Sequence, residues 1–548
     1  MGYNDLCELV GRELTIGLLE EKLFLMKCEV ESSSGDELVL EVTSDRPDLL
    51  CAEGIARELR GLLGIETGLV NYKLTTSDLK IYVDRSISKV RPYIAGALVE
   101  NLEFTDEFVK QIMQLQEKLH LTYCRNRTKV SVGIHDAETV THKLTYAGIR
   151  PEKINFIPLD ETKEMNGTEI LESTPKGKEY GWIIKNFPVY PLLSDSNMKV
   201  LSLPPIINGI VTRVTPETTS LILDITGTDL KLVNFVNNIV VSSLIERGGI
   251  AKTATVIYDN KRINTPDLSP NRSNLNLSYS NEILGLNLKS GQAKSLLRKM
   301  RYGVKQKSKN SLIVMIPAYR ADIMHEIDLV EDLAIAYGYD KLDPTMPMSA
   351  TIGSERNITK LARKIRDLMV GLGFIEVLNY IMTSENTITA KMDITSEKIV
   401  KIANPLSLDF SVLRNWLIPD LLSFLSFNKH VPYPQNIFEC GETVEINDMA
   451  PNKTVTKRKL AALVCDHKIS YEDIQSKLYS LLQNAGADGW SLHRTDHSSF
   501  IKGRVASIKV SGVEVGIMGE IHPRILSRFE VENPVGAFEI DLEKIFIK

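Results

Sequence analysis

At 548 residues the chain exceeds what one hydrophobic core can organise, so three to four domains are expected. Apolar residues make up 43% and charged residues 25%, an ordinary balance for a soluble globular protein, and no apolar run approaches the roughly 18 residues of a membrane span. A net charge of −5 excludes a uniformly basic nucleic-acid binder, so any contact with RNA must be local.

The opening Met1-Gly2-Tyr3-Asn4-Asp5-Leu6 has neither the basic start nor the apolar stretch of a signal peptide, and Leu6 breaks the N-myristoylation pattern. Residues 1–85 predict a helix with Leu18, Leu19, Leu23, Leu25 and Met26 on its buried face, then a strand from Leu38 to Val42. In the turn Ser44-Asp45-Arg46-Pro47-Asp48, Pro47 fixes φ and Asp48 is placed to cap the next helix. That helix carries Ile55, Leu59, Leu62 and Leu63 and ends at Gly64.

Residues 86–268 change to short apolar strands broken by Gly, Pro, Asn and Asp, as in Tyr93 to Val99, Val130 to Ile134, Trp182 to Ile184 and Leu221 to Ile225. This predicts a compact, sheet-rich α+β domain. A linker from Pro266 to Pro270 leads into a small domain over 269–345, and a second hinge follows from Asp343 to Pro347. The remaining span, 346–548, alternates helices with strands and closes on a strand pattern from Val535 to Leu542. Six cysteines, Cys7, Cys28, Cys51, Cys124, Cys440 and Cys465, stand apart without a Cys-x-x-Cys pair. That argues against a zinc ribbon or disulfide framework and for reduced thiols in a cytoplasmic protein.

From Ile283 to Ala321 there are nine Lys or Arg residues and no Asp or Glu, and Asp322, Glu326, Asp328, Glu331 and Asp332 then fall within eleven residues. A helix from Ile323 to Tyr337, with Ile327, Val330 and Ala334 on its apolar side, would put Asp328, Glu331 and Asp332 on one face. Asp322 joins them only if it precedes the helix and bends inward. Converging carboxylates repel unless a hard cation such as Mg²⁺ lies between them; alternatively, acidic residues simply favour the first turns of a helix. In the sheet-rich domain, Ile207-Asn208-Gly209, Thr215 to Thr219 and Leu223-Asp224-Ile225-Thr226-Gly227 form a polar cluster. Asp224 lies in an apolar strand, where an unpaired carboxylate is costly, so it must be paired, at a strand end or facing a pocket. One His beside one Asp, His135-Asp136, is more often a satisfied hydrogen-bonding pair than a catalytic dyad, and no phosphate-binding, zincin or nucleophile-elbow motif is present.

Ser44-Asp45-Arg46-Pro47-Asp48-Leu49 followed by Glu53 to Leu59 resembles the N-terminal signature of phenylalanyl-tRNA synthetase β subunits of archaeal and eukaryotic type. Gly133-Ile134-His135-Asp136 and Asn208 to Asp229 resemble that family's editing domain, and Arg320 to Ile323 with Asp328 to Asp332 resembles its small domain. Asn404-Pro405-Leu406-Ser407, Ile437 to Gly441 and Gly519-Glu520-Ile521-His522-Pro523 are similar to its C-terminal module. The matches run in order along nearly the whole chain.

The resemblance implies a multidomain α+β fold: an N-terminal α+β module over 1–85, a tRNA-editing domain over 86–268, a small helical, winged-type domain over 269–345 and a class II synthetase-like antiparallel sheet with helices over 346–548. It implies a subunit of an (αβ)₂ heterotetramer that charges tRNA(Phe) with phenylalanine using ATP, the aminoacylation site lying in α. Class II enzymes hold ATP with an Arg in a motif whose place here reads Val535 to Leu542, and no Arg follows Glu539. A chain of 548 residues also leaves no room for the extra domains of the bacterial type. The resemblance further implies Mg²⁺ shared with α at Asp322, Asp328, Glu331 and Asp332. Editing answers a physical need, because an apolar pocket rejects an added hydroxyl by only about 10²-fold. The implied editing residues are Asn208, Thr218, Thr219, Asp224 and Thr226, with Asp224 where the bacterial motif has a phenol-recognising Glu. The alternative is a tRNA-binding and assembly scaffold without hydrolytic activity.

Overall fold

The computed structural model describes residues 1–348, 351–395 and 398–546; the end of the last predicted span, 547–548, lies outside them. The chain forms two compact units, Met1–Thr345 and Met346–Lys548. None of the described helices is long and apolar enough to cross a membrane. Five of the six cysteine thiols are buried and unpaired, and Cys7 is half-buried.

The first unit opens with helices Tyr3–Val10, Ile16–Leu25 and Ala52–Leu62 beside the hairpin Cys28–Ser34 and Glu37–Val42. Leu6, Leu19, Leu23, Ile55 and Leu59 form their common core. Gly54 is required where the third helix crosses the preceding turn: a Cβ there would lie 1.8 Å from the Asp48 carbonyl oxygen. Asp48 does not cap that helix. Its carboxylate is fully buried and accepts hydrogen bonds from Arg46 Nε and Nη2 at 2.9 and 2.8 Å.

A ten-stranded sheet follows. Its strands run, in spatial order, Val130–Asp136, Leu221–Gly227, Tyr93–Glu100, Ile250–Tyr258, Thr75–Val83, Lys143–Ile149, Tyr190–Asp195, Val200–Leu203 and Ile207–Asn208, with Lys261–Thr265 paired to Ile250–Tyr258. Thr75–Val83 thus joins this sheet from within the first predicted span. Strand alternation puts Leu221, Leu223 and Ile225 under helices Asp106–Leu121 and Leu230–Glu246, while Ile222 faces a second core with Ile81, Leu144 and Leu201. The stretch expected as a strand at 182–184 is instead a 3₁₀ turn, Gly181–Ile183, running on from helix Pro175–Tyr180. Three residues beside a helix end find no ladder partner, and Trp182 is left 61% exposed.

The three-stranded sheet Asn271–Asn276, Ser311–Ile316 and Gly303–Ser308 carries helices Leu277–Leu284, Ser290–Lys299 and Glu326–Tyr337. The last helix begins at Glu326 rather than Ile323, because Asp328 Oδ2 accepts the N–H groups of Met324 and His325 at 2.7 and 2.6 Å and so fixes the start. Its buried side is Leu329, Val330, Leu333 and Ala334; Ile327 is 42% exposed.

A buried charge network ties these parts of the first unit together. Arg57, fully buried, lies with its guanidinium carbon 3.5 Å from the Tyr319 ring centre and donates to Tyr72 and Ser242. The Tyr72 hydroxyl donates to Glu246 at 2.5 Å, and Tyr319 donates to Glu58 at 3.4 Å. Arg320 grips Asp322 through Nε and Nη2 at 2.8 and 2.7 Å and reaches Asp332 at 2.8 Å.

The second unit is built on a seven-stranded sheet ordered Ile375–Glu376, Gln435–Ile446, Thr454–Cys465, Val535–Asp541, Val513–Ile521, Phe500–Val510 and Trp490–Arg494. All neighbours are antiparallel except the first pair. Helices Asn357–Gly371 and Tyr471–Asn484 cover one face, and Ile418–Phe427 with Pro523–Arg528 the other. Leu542 opens a short helix instead of ending the last strand.

Burial raises the Asp322 carboxyl, but the charge and paired hydrogen bonds of Arg320 outweigh it and hold the group at about 2. A folded value below the unfolded 3.8 means stability present above about pH 4 and lost as pH falls toward 2, about 2 kcal/mol in all. Asp322→Asn is therefore expected to flatten that segment of the stability–pH curve. Arg320→Met, which strands two buried carboxylates, should destabilise by about 3–5 kcal/mol in urea unfolding.

Candidate functional site

The alternation of strand Leu221–Gly227 that sends Leu223 and Ile225 under the helices sends Asp224 and Thr226 to the opposite face. In the antiparallel register Gly133 stands opposite Asp224 and Ser131 opposite Thr226. Asp224 is only 2% exposed, and its Oδ2 accepts from Ser202 Oγ at 2.6 Å and from His135 Nε2 at 3.0 Å. The carboxylate accepts from Nε2, which therefore carries the proton of that bond, and Nδ1 lies 2.8 Å from Thr212 Oγ1. His135 therefore pairs with Asp224 and not with Asp136, its neighbour in sequence, which lies on the other side of the strand. Because the Ser202 hydroxyl is donating to a carboxylate, this is not the Ser–His–Asp order of a nucleophilic triad.

Beneath the carboxylate lies Arg91, whose Nε donates to Thr226 Oγ1 at 2.9 Å and whose Nη2 reaches Ser131 Oγ at 3.1 Å and the Thr226 carbonyl at 2.8 Å. Burial pulls Arg91 down to about 10, still cationic at neutral pH. Its Nη1 donates to the Arg127 carbonyl at 3.2 Å, at the end of a turn in which Arg125, Asn126 and Arg127 all have positive φ, 50°, 50° and 63°. Three successive left-handed residues that are not glycine cost on the order of 1 kcal/mol each. The bonds made by Arg127 hold the turn: to the Pro205 and Ile206 carbonyls at 3.3 and 3.0 Å and to Glu117 at 2.6 Å.

Asp224, Ser202, Thr212 and Asn208 open into a cavity of about 340 Å³, in the range of small-ligand sites. Its apolar wall includes Val109, Met113, Ile134, Pro205, Ile206 and Val214. Glu117, Arg127 and Lys176 also line it. His120, whose Nδ1 is 3.7 Å away, and then the Arg127 and Lys176 charges hold Glu117 at about 2 against desolvation.

Of the five residues expected at an editing pocket, Asn208 and Asp224 line this cavity. Thr226 is buried behind it, bonded to Arg91 and Ser131. Thr218 donates to Asp136 at 2.7 Å and Thr219 to Glu138 at 2.5 Å, and neither lines the cavity. Sequence reading missed Ser202, Thr212 and the true partner of His135. The period-2 rule alone separates His135 from Asp136, whereas Ser202 comes from strand Val200–Leu203 and Thr212 from the 3₁₀ turn Ile210–Thr212, and neither leaves a local signal.

The acidic group of the small domain is distributed differently from a shared face. Asp322 and Asp332 share Arg320, and the Tyr302 hydroxyl also donates to Asp332. Asp328 caps its own helix, and Glu331, 45% exposed, lies 3.3 Å from Lys27 Nζ. Among the described residues no three Asp, Glu, His or Cys side chains form a cation-holding group, so the four carboxylates do not fit as the shell of one ion within this chain. In the second unit Glu539 is buried, with Oε2 accepting the N–H of Leu417 at 2.7 Å and of Ile418 at 3.2 Å, and Oε1 lying 3.4 Å from Lys459 Nζ.

Residues 342–542 match the family model of the phenylalanyl tRNA synthetase beta chain CLM domain, and residues 273–339 that of the tRNA synthetase B5 domain. The phenylalanine–tRNA ligase beta subunit of Pyrococcus furiosus is 42% identical over 550 residues, covering 99% of this chain and 98% of the relative. The chain belongs to the phenylalanine–tRNA ligase β-subunit family. The Thermococcus sibiricus beta subunit is 41% identical over 549 residues, with the same coverage. The crystal structure of an N-terminal fragment of the phenylalanyl-tRNA synthetase beta subunit from Pyrococcus horikoshii aligns with a TM-score of 0.60 at 40% identity, covering 62% of this chain and 99% of the fragment. As a member of this family, the protein is a phenylalanine–tRNA ligase subunit.

Ser202→Ala removes one of the two donors to a buried carboxylate and should cost about 1–3 kcal/mol, read by urea unfolding with an unchanged m-value.

Proposed function

We propose that this β subunit supports ATP-dependent charging of tRNA(Phe) with phenylalanine by the α subunit and, in its own cavity, hydrolyses tyrosine wrongly attached to that tRNA. The observation that carries the editing reading is the Asp224 carboxylate: desolvated, lining an apolar-walled cavity, and met on Oδ2 by Ser202 and His135. A tyrosyl ring suits the apolar wall, and its hydroxyl supplies a donor that phenylalanine lacks. A site built to hydrogen-bond a hydroxyl rejects the analogue without it far better than an apolar site rejects the added group. In the hydrolysis a water oxygen bonds to the ester carbonyl carbon, the bond to the ribose oxygen breaks, and a proton passes to that oxygen. No side-chain nucleophile is needed, in keeping with Ser202 being committed to Asp224.

The domain spans proposed are 1–85, 86–268 for editing, 269–345, and 346–548 for a class II-like module without an active site. The largely antiparallel seven-stranded sheet supports the last assignment, as does Glu539, which caps helix Ile418–Phe427 with no Arg following it. ATP then binds in α. Leu378, Tyr380, Leu406, Leu408 and Phe427, each more than 75% exposed, suit burial against a protein partner, here α in an (αβ)₂ heterotetramer acting in the cytoplasm. A Mg²⁺ ion shared with α is proposed only at the exposed end of the acidic helix, through Asp328 and Glu331, with Asp322 and Asp332 left to Arg320.

In the αβ complex, Asp224→Ala should lower clearance of tyrosine from tRNA(Phe) by more than tenfold while phenylalanine charging stays within about twofold; unchanged clearance would leave this chain a binding and assembly scaffold. Glu331→Ala is expected to weaken association with α at limiting Mg²⁺, measured by sedimentation. Wild-type association would assign Glu331 to Lys27 alone.

A further inference from the structure

We infer that Gly133 sets the specificity of the pocket by leaving the space that the Asp224 carboxylate occupies; this rests on the editing reading above. Gly133 faces Asp224 directly across the antiparallel pair, so a side chain at 133 would project to the same face as the carboxylate. A Cβ there would lie 2.5 Å from Oδ1, 2.6 Å from Cγ and 2.7 Å from Oδ2 of Asp224. Gly96 flanks Asp224 on the other neighbouring strand, but a Cβ at 96 would meet Ile81 Cδ1 at 2.7 Å and the Leu223 carbonyl at 3.1 Å instead. Of the two flanking glycines, only Gly133 shares its space with the carboxylate.

The group that must yield to a methyl at 133 is the carboxylate and not the strand. Val130–Asp136 is locked to Leu221–Gly227 along its whole length, whereas the carboxylate is held only by Ser202 and His135 on Oδ2. Among the described residues no donor is bonded to Oδ1, and Gly133 and Asp224 line the cavity together. Oδ1 is thus the acceptor offered to a ligand hydroxyl, seated over a residue with no side chain. Gly133 does not have positive φ, so alanine there carries no backbone penalty of its own. Its role is positional: it touches no reacting atom and acts through Asp224.

The test uses the αβ complex carrying Gly133→Ala, with Asp224→Ala as reference. Phenylalanine charging should stay within twofold of wild type, clearance of tyrosine from tRNA(Phe) should fall at least tenfold, and the ratio of tyrosine to phenylalanine release should fall with it. Wild-type clearance and ratio in Gly133→Ala, alongside loss in Asp224→Ala, would overturn the inference and leave the editing reading standing. Wild-type clearance in both would remove the editing reading itself. If Gly133→Ala lowers the unfolding temperature, its cost should shrink in an Asp224→Ser background, where the shorter side chain clears the methyl. An equal cost in both backgrounds would show that the two positions do not share space and would overturn the inference.

Discussion

Taking a carboxylate out of water costs several kcal/mol unless donors surround it, and the architecture is organised around that constraint. Asp48, Asp224, Asp332 and Glu439 are each no more than 2% exposed. Three of them are met by a guanidinium: Asp48 by Arg46, Asp332 by Arg320, and Glu439 by Arg414 at 2.5 Å with Asn379 at 2.8 Å. Asp224 differs from these three: Ser202 and His135 bond one of its oxygens, and among the described residues no guanidinium pairs with it. Asp195, equally buried, also lacks a guanidinium, but the Thr141, Asn197 and Lys199 amides bond both its oxygens, whereas Asp224, among the described residues, keeps one oxygen unbonded beside the cavity it lines. Asp420 marks the cost of partial satisfaction: burial pushes it up to about 7, while Thr383 at 2.9 Å and Arg414 at 3.7 Å offset only part of the penalty.

Much of the fold was legible along the chain because hydrophobic period and turn chemistry are local. The helix around Leu19 and Leu23 and the strands at Tyr93, Val130 and Leu221 lie within a few residues of their expected bounds. What failed was local in appearance but decided by tertiary pairing. Asp48 had the sequence position of a helix cap, yet Arg46 claims it. The spacing of Asp328, Glu331 and Asp332 suggested one face, yet a cap, an exposed lysine pair and a buried arginine draw the three apart. The cavity followed the same rule: Asp224 was flagged by its cost, whereas Ser202 and Thr212 arrive from strands and turns no local pattern connects to it.

In the second unit a buried glutamate fastens a helix to the sheet. Glu539 sits inward on Val535–Asp541, where its carboxylate meets the first amides of Ile418–Phe427. There it serves the positive end of a helix and Lys459. The position is part of the packing between sheet and helix.

The network through Arg57 bears on how such a chain can be divided or recombined. Its partners come from distant stretches: Tyr72 from the segment before strand Thr75–Val83, Ser242 from helix Leu230–Glu246, Tyr319 from the segment before the last helix of the small domain, and Glu58 from its own helix, itself reached by Tyr319. A cut anywhere between them separates a buried cation from the groups that make its burial tolerable. Chimeras with related subunits must therefore exchange residues 1–345 as one block, or carry both halves of this network across the junction.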